Sequence, residues 1–435
     1  MAEALEREHW SEAQWTAYVD ERIAKILYRA VRHVPYYRDQ WAARRRLGDH
    51  ASPEYLENWP ILEKEPVRAN PAAFLDEDSN RQRMFPEYTS GTSGTSLQLW
   101  WSRETSQRWY ALFEARARHW HGVSRADRWA ILGGQLVSAA SNRRPPFWVW
   151  NSGLNQLYMS SYHLAPDLIP SYLDALQRYR ITYLLGYTSS LFALADEAIR
   201  RGRRDLGMKV VITNAEPVFD YQRKVISAAF QCPVRETYGM AELVAAASEC
   251  QAGRLHTWPE TGLVEIVDAD SQPAVAGETG ELVCTGLLNA DMPLIRFRIG
   301  DRGALGPPSA CACGRTLPSL ACIEGRTDDV LYTTDGRPVG RLDPAFKERL
   351  PIREAQIIQE KLNLVRVRFV PAPDFTSSAL DSLISRLRAR LGPVEIIAEK
   401  LDEIPRTSRG KFRAVICQLS REELDRAKET REVIQ

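Results

Sequence analysis

Between Trp129 and Tyr238, short apolar runs of strand length alternate with longer runs whose apolar residues recur at helical spacing. This alternation restricts the fold more than any other feature of the 435-residue chain. Trp129-Ala-Ile-Leu132, Tyr183-Leu-Leu185, Lys209-Val-Val-Ile-Thr213 and Val234-Arg-Glu-Thr-Tyr238 read as strands; Leu168 to Tyr179, Ser190 to Arg201 and Tyr221 to Phe230 read as helices. The succession predicts an α/β domain with parallel strands. Trp15 to His33 and Ser106 to Gly122 also show helical spacing and predict helices packed on sheets. From Gly262 to Arg298 the pattern changes to short strands with Gly and Pro punctuation, which predicts a β-rich subdomain. After Asp328, a strand at Leu364 to Val370 and a helix at Ser377 to Leu391 predict a small α+β unit. The expected organisation is a large N-terminal domain over 1–327, with its β-rich part at about 245–325, and a small C-terminal domain over 328–435.

With 44% apolar residues the chain can bury substantial cores, and a formal net charge of +1 supplies no global field for nucleic acid or an anionic membrane. Charges are scattered from Met1 to His33, unlike a signal peptide, and no apolar run approaches the roughly 18 residues of a membrane span. The expectation is a soluble, cytoplasmic protein. Seven cysteines, an odd number without a secretory signal, argue against a disulfide framework.

Against this background stands Tyr88-Thr-Ser-Gly-Thr-Ser-Gly-Thr-Ser96. Its glycines allow close backbone approach, and its N–H groups and hydroxyls can donate to phosphate oxygens. A flexible linker has similar composition. The flanking runs Arg81 to Tyr88 and Leu97-Gln-Leu-Trp-Trp101 favour a loop between two strands. It is not a Walker motif, because the chain's one Gly-Lys pair, Gly410-Lys411, has Pro405 where the first glycine belongs. The loop is answered, in order, by Tyr238-Gly-Met-Ala-Glu242, Gly300-Asp301, Gly325-Arg-Thr-Asp328 and Pro405-Arg-Thr-Ser-Arg-Gly-Lys411. Each alone reads as an ordinary strand end, turn or solvated charge; their joint order points to ATP.

These segments resemble the adenylate-forming superfamily over nearly the whole chain. Ala30-Val-Arg-His-Val-Pro-Tyr-Tyr37, Pro145-Pro-Phe-Trp148, Gly186-Tyr-Thr-Ser-Ser190, Asn214-Ala-Glu-Pro217 and Met292 to Asp301 are similar to its branch of phenylacetate-CoA ligases and capsule-biosynthesis adenylating enzymes. The resemblance implies a large domain and a small mobile one enclosing the reaction. A carboxylate is activated with MgATP as acyl-adenylate, pyrophosphate leaves, and the acyl group passes to a thiol or amine.

Two anions meet when a carboxylate attacks the α-phosphorus, so donors, a metal and a late-arriving cation are needed. Thr89, Ser90, Thr92 and Ser93, with Gly91 and Gly94, can supply donors. By resemblance, Glu242 holds magnesium, Tyr238 and the turn Asn214, Ala215, Glu216, Pro217 bracket adenine, and Asp301 accepts from the ribose hydroxyls. Arg326 would reach ribose or phosphate beside a hinge at Asp328, and Lys411 would enter with domain closure to neutralise the reacting anions. The implied acid pocket lies among Gly133, Trp148, Tyr158, Gly186, Tyr187, Gly239, Met240 and Ala241; aromatic walls would suit an aryl or short planar acid, and the tryptophans read equally as core filler.

Cys250, His256, Cys311 and Cys313 form a further set, four soft or borderline ligands among Gly-containing turns. The readings are a closed, structural Cys3His zinc site or four unrelated residues; the resemblance supports zinc, with Cys322 as a replacement ligand for His256. Cys232, Cys284 and Cys417 read as buried thiols, and His119, His121 and His163 as ordinary surface or core histidines or else catalytic ones. Two departures bear on substrate. Thr95 stands where many members have a lysine, and Leu331 to Val339 lacks the Arg-Gly-x-Asn stretch of the thioester-forming relatives. Transfer to CoA leads, beside transfer to an amine or carrier-protein thiol; a nucleotide-binding module without turnover stays open. The expected small molecules are ATP, Mg2+, a structural Zn2+ and CoA.

Overall fold

The computed structural model describes residues 1–89, 97–135, 137–139, 142–275, 277–308, 310–326, 331–334, 338–339, 351–406, 412–420 and 422–423. Among these residues twelve strands form one continuous sheet. Five are parallel neighbours, in the order Val234–Gly239, Val210–Asn214, Tyr183–Tyr187, Trp129–Gly133, Gln156–Ser160. Trp148–Asn151 closes that edge antiparallel. The central strands are apolar throughout because both faces are covered, as a parallel sheet requires. Helices Ile169–Arg178, Thr188–Arg200 and Asp220–Phe230 place Leu173, Leu176, Leu191, Leu194, Ile226 and Phe230 in one core with Leu132, Leu184 and Val211.

The β-rich part is hydrogen-bonded to the parallel half, so the two share one sheet. Val234–Gly239 pairs antiparallel with Ala246–Glu249, and the sheet continues through Leu255–Thr257, Ser319–Arg326, Phe297–Leu305, Gly280–Gly286 and Gly262–Val267. This fusion brings residues of widely separated sequence segments to one edge.

The helix predicted from Trp15 runs Glu12–His33 and starts at a capping box: Gln14 N donates to Ser11 Oγ, and Ser11 N donates to Gln14 Oε1. Its buried residues Ile26, Leu27 and Ala30 continue through Val34 into Tyr37 and Trp41 of helix Pro35–Arg46, packing with Trp59, Phe74, Leu97 and Leu282. The helix expected over Ser106 to Gly122 instead changes type. An α-helix, Arg103–Phe113, widens into a π turn at Glu114–Arg118, tightens into a 3-10 turn at His119–His121, and stops at Gly122 with φ +67°. The π turn carries Arg116 into a bidentate pair with buried Glu260, at 2.6 and 2.7 Å.

The C-terminal unit is a four-stranded sheet, ordered Glu395–Lys400, Leu364–Pro371, Ile352–Lys361, Val415–Cys417. Leu383, Leu387 and Leu391, one helical turn apart on Ser377–Leu391, pack on Ile357, Val365 and Val367, giving this unit its own core. Among the described residues no helix is long and apolar enough to cross a membrane.

Candidate active site

In an open parallel sheet, ligands bind beyond the carboxyl ends of the strands. There Tyr187, Asn214 and Gly239, each the last residue of its strand, border a cleft of 1360 Å³. Thr89, Glu242 and Asp301 border it from other elements, and Pro351 to Ala355 and Phe412 from the C-terminal unit.

The Ser/Thr/Gly segment joins strands Phe85–Tyr88 and Gln98–Trp101, which pair antiparallel from Phe85↔Trp101 to Tyr88↔Gln98. Thr89 closes it: its N–H donates to Leu97 O at 3.0 Å, and Leu97 N–H to Thr89 Oγ1 at 2.9 Å. Ser90, Gly91, Thr92, Ser93 and Gly94 lie outside the described residues, as do Asp328, Lys411 and the side chain of Arg326. The Arg326 backbone is described and pairs with Asp301 across adjacent strands.

Tyr238 Oη donates to Asp301 Oδ2 at 2.6 Å, joining two of the sequence motifs. Burial, and then the Asp301 charge, hold the phenol well above its ordinary range, so it remains a donor. Trp101 Nε1 donates to Ala241 O at 3.0 Å and steadies the segment that leads to Glu242.

Asn214, Ala215 and Glu216 make a tight turn. Glu216 N–H donates to Asn214 O at 2.8 Å, and Ala215 sits at φ +61° in the left-handed region that a residue with a Cβ seldom occupies. Asn214 Oδ1 is buried, lines no hydrogen bond with any described residue, and belongs to a side chain bordering the cleft. The Glu216 carboxylate accepts from Ser189 N–H at 2.7 Å, Ser189 Oγ at 3.1 Å and Phe412 N–H at 2.9 Å. Its burial raises its pKa, which those donors oppose.

Of the expected acid-pocket residues, Tyr187, Gly239, Met240 and Ala241 border the cleft; Gly133, Trp148, Tyr158 and Gly186 do not. Tyr158 Oη accepts from Gln135 N–H at 2.9 Å and covers Gly133, where a Cβ would stand 2.3 Å from that oxygen. At Gly186 a Cβ would lie 2.8 Å from Leu132 O, so the absent side chain permits strand packing. Trp148 packs on Phe147 and Tyr172 at the sheet edge. Phe192, Phe219 and Tyr221 add aromatic surface that sequence reading missed. Their only signal was position, just after strands that end at the cleft.

Elsewhere the sheet assembles Cys250, His256, Cys311 and Cys313, whose ligand atoms lie within 4.8 Å of one another. The strand pair Ala246–Glu249 and Leu255–Thr257 brings Cys250 beside His256; the other two come from the loop before Ser319–Arg326. Cys250 Sγ is 3.7 Å from Cys311 Sγ, and Cys313 Sγ is 3.4 Å from His256 Nε2. Zinc–sulfur bonds of about 2.3 Å set tetrahedral sulfur ligands roughly 3.8 Å apart, so the spacing suits a tetrahedral ion. His256 Nδ1 donates to Leu317 O at 2.9 Å, leaving the Nε2 lone pair facing the thiols, and burial lowers its pKa, keeping the ring neutral. Cys322 is not in the cluster; Cys232 and Cys284 are buried, and burial pushes Cys232 up to about 12.

A feature unread in the sequence covers this cluster. Buried Glu8 accepts from Trp120 Nε1 at 2.5 Å and Arg315 Nε at 2.8 Å, while Thr316 N–H donates to Glu8 O. Trp15 joins Trp120, Cys250, Cys311 and Leu317 in one small core. Burial, then Arg235 and Arg315, lower His121 to about 4, and His163 stacks on Phe147 at 4.6 Å as a core residue.

Residues 331–418 match the CapK C-terminal domain family. Over 364 residues the chain is 25% identical to Protein CapK of Staphylococcus aureus, covering 82% of this chain and 79% of that one. Over 188 residues it is 30% identical to phenylacetate-coenzyme A ligase of Thermus thermophilus, covering 42% of each. The crystal structure of 2-hydroxyisobutyryl-CoA ligase in the postadenylation state with R3-HIB-AMP matches with a TM-score of 0.72 at 20% identity, covering 98% of this chain and 94% of that one. The chain is thus similar in sequence to CapK and the phenylacetate-coenzyme A ligases, and it has the fold of the adenylate-forming ligases, with a large α/β N-terminal domain and an α+β C-terminal domain.

Proposed function

We propose that the protein activates an aryl carboxylic acid with MgATP as the acyl-adenylate, releases pyrophosphate, and transfers the acyl group to the thiol of CoA. The observation that carries this reading is the convergence of Tyr238, Asp301 and the Asn214 turn on one cleft also bordered by the C-terminal unit. The orphaned Asn214 Oδ1 suits the exocyclic amine of adenine, and Asp301, oriented by Tyr238, suits the two ribose hydroxyls. Glu242 offers the hard oxygen that magnesium prefers; the ion would neutralise phosphate charge. The hydroxyls of Thr89, Thr92 and Ser93 would hold the phosphates, and Lys411 would meet the attacking carboxylate when residues 328–435 close on residues 1–327 about Asp328. Tyr187, Phe192, Phe219 and Tyr221 favour a flat, apolar acid. Cys250, His256, Cys311 and Cys313 would hold a structural zinc, because four protein ligands leave no position for substrate. ATP and CoA as co-substrates fit a cytoplasmic enzyme.

The test is exchange of labelled pyrophosphate into ATP across aromatic, aliphatic and amino acids, followed by addition of CoA. Exchange with an aryl acid and thioester formation are expected. An amide formed with supplied amines, and no thioester, would replace CoA as acceptor; silence with every acid despite ATP binding would leave a nucleotide-binding module.

A further inference from the structure

We propose that Glu216 is a positioning residue that latches the C-terminal unit at Phe412 for adenylation, and that its side chain does not hold adenine. The inference rests on the adenylation reading above. Glu216 follows the strand end that borders the cleft, and its carboxylate points to Ser189 and Phe412. Ser189 and Glu216 belong to the large domain; Phe412, 196 residues further on, belongs to the small one. Phe412 directly follows Lys411 in sequence, so a hold on the Phe412 amide acts one residue from the proposed late-arriving cation.

The small domain presents this amide on a braced residue. Arg406 lies over the Phe412 ring at 4.6 Å and pairs with Glu354 of strand Ile352–Lys361. On the other side, Ser189 N–H and Oγ keep the carboxylate in one orientation, and Thr188 Oγ1 donates to Glu216 O at 3.2 Å. When the small domain turns away, Glu216 retains both Ser189 donors and loses the Phe412 hydrogen bond together with the attraction of Arg406. The bond can therefore break without unfolding either domain, yet a charge-assisted bond in a buried setting favours the closed arrangement. A carboxylate is needed because it accepts on both oxygens. An amide would set its NH2 against one of two backbone N–H donors.

The test compares wild type with Glu216→Gln, which keeps the shape, and Glu216→Ala. Hydrogen–deuterium exchange of the peptide containing Phe412 should quicken in both variants, with peptides of the large sheet unchanged. Pyrophosphate exchange should fall about tenfold or more through kcat with the KM for ATP nearly constant, and thioester formation from supplied acyl-adenylate and CoA should fall much less. A raised KM for ATP with kcat kept, equal loss in both half-reactions, or unaltered Phe412 protection would overturn the latch. Wild type silent with every acid would count against the adenylation reading instead, and Phe412 protection would still decide the latch.

Discussion

The cleft and the cysteine–histidine cluster hang on the same sheet and are built in opposite ways. The cleft collects polar groups from separate strand ends and leaves room between them: Asn214 Oδ1 has no partner among the described residues, and two domains share the walls. The cluster turns four ligand atoms inward within 4.8 Å and is covered by an N-terminal turn through Glu8. On the proposed reading, the unmet capacity at Asn214 Oδ1 receives substrate, whereas the four convergent ligands would clasp a structural ion. On that reading, hard oxygen groups serve chemistry in one place and soft ligands serve rigidity in the other.

The comparison can be broken in four ways. Lys411→Ala should lower pyrophosphate exchange by about a hundredfold or more while leaving metal content untouched; full activity would remove the late-arriving cation from the mechanism. Cys250→Ser with Cys311→Ser should abolish binding of about one zinc per chain and lower Tm by roughly 10 °C, measured by elemental analysis and calorimetry. A stable metal-free variant would dissolve the distinction. Asp301→Asn should raise the KM for ATP about tenfold, since a neutral amide accepts more weakly from the ribose and loses part of its bond from Tyr238. Tyr238→Phe should have the smallest effect, about two- to fivefold in the same KM, because it removes only the group that orients Asp301.

The parts legible in sequence were those with local causes. Periodicity located the helices at Glu12–His33 and Ser377–Leu391 and four of the five parallel strands, missing Gln156–Ser160, because side-chain period follows backbone geometry. Motif order brought Tyr238 and Asp301 into one site, but their hydrogen bond depends on sheet pairing across 63 residues, which spacing alone does not encode. The π turn at Glu114–Arg118 was invisible, since it accompanies a pair between Arg116 and Glu260, 144 residues away, that local spacing does not encode. Gly133 and Gly186 looked like pocket residues; each is a glycine because a neighbouring strand or side chain takes the space. Glu216 carried a motif whose backbone turn faces the cleft and whose side chain serves another partner.

The turn at Glu8 has a consequence for the order in which the chain is made. Its carboxylate and carbonyl are met by Arg315 and Thr316, 307 and 308 residues downstream. On a ribosome, Glu8 leaves the exit tunnel long before those partners exist, so its seat can form only after most of the large domain has been translated. A chain arrested before Thr316 would expose Trp15 and Trp120, which in the finished protein share a core with Cys250 and Cys311. Completion of this corner is therefore a late event of biosynthesis.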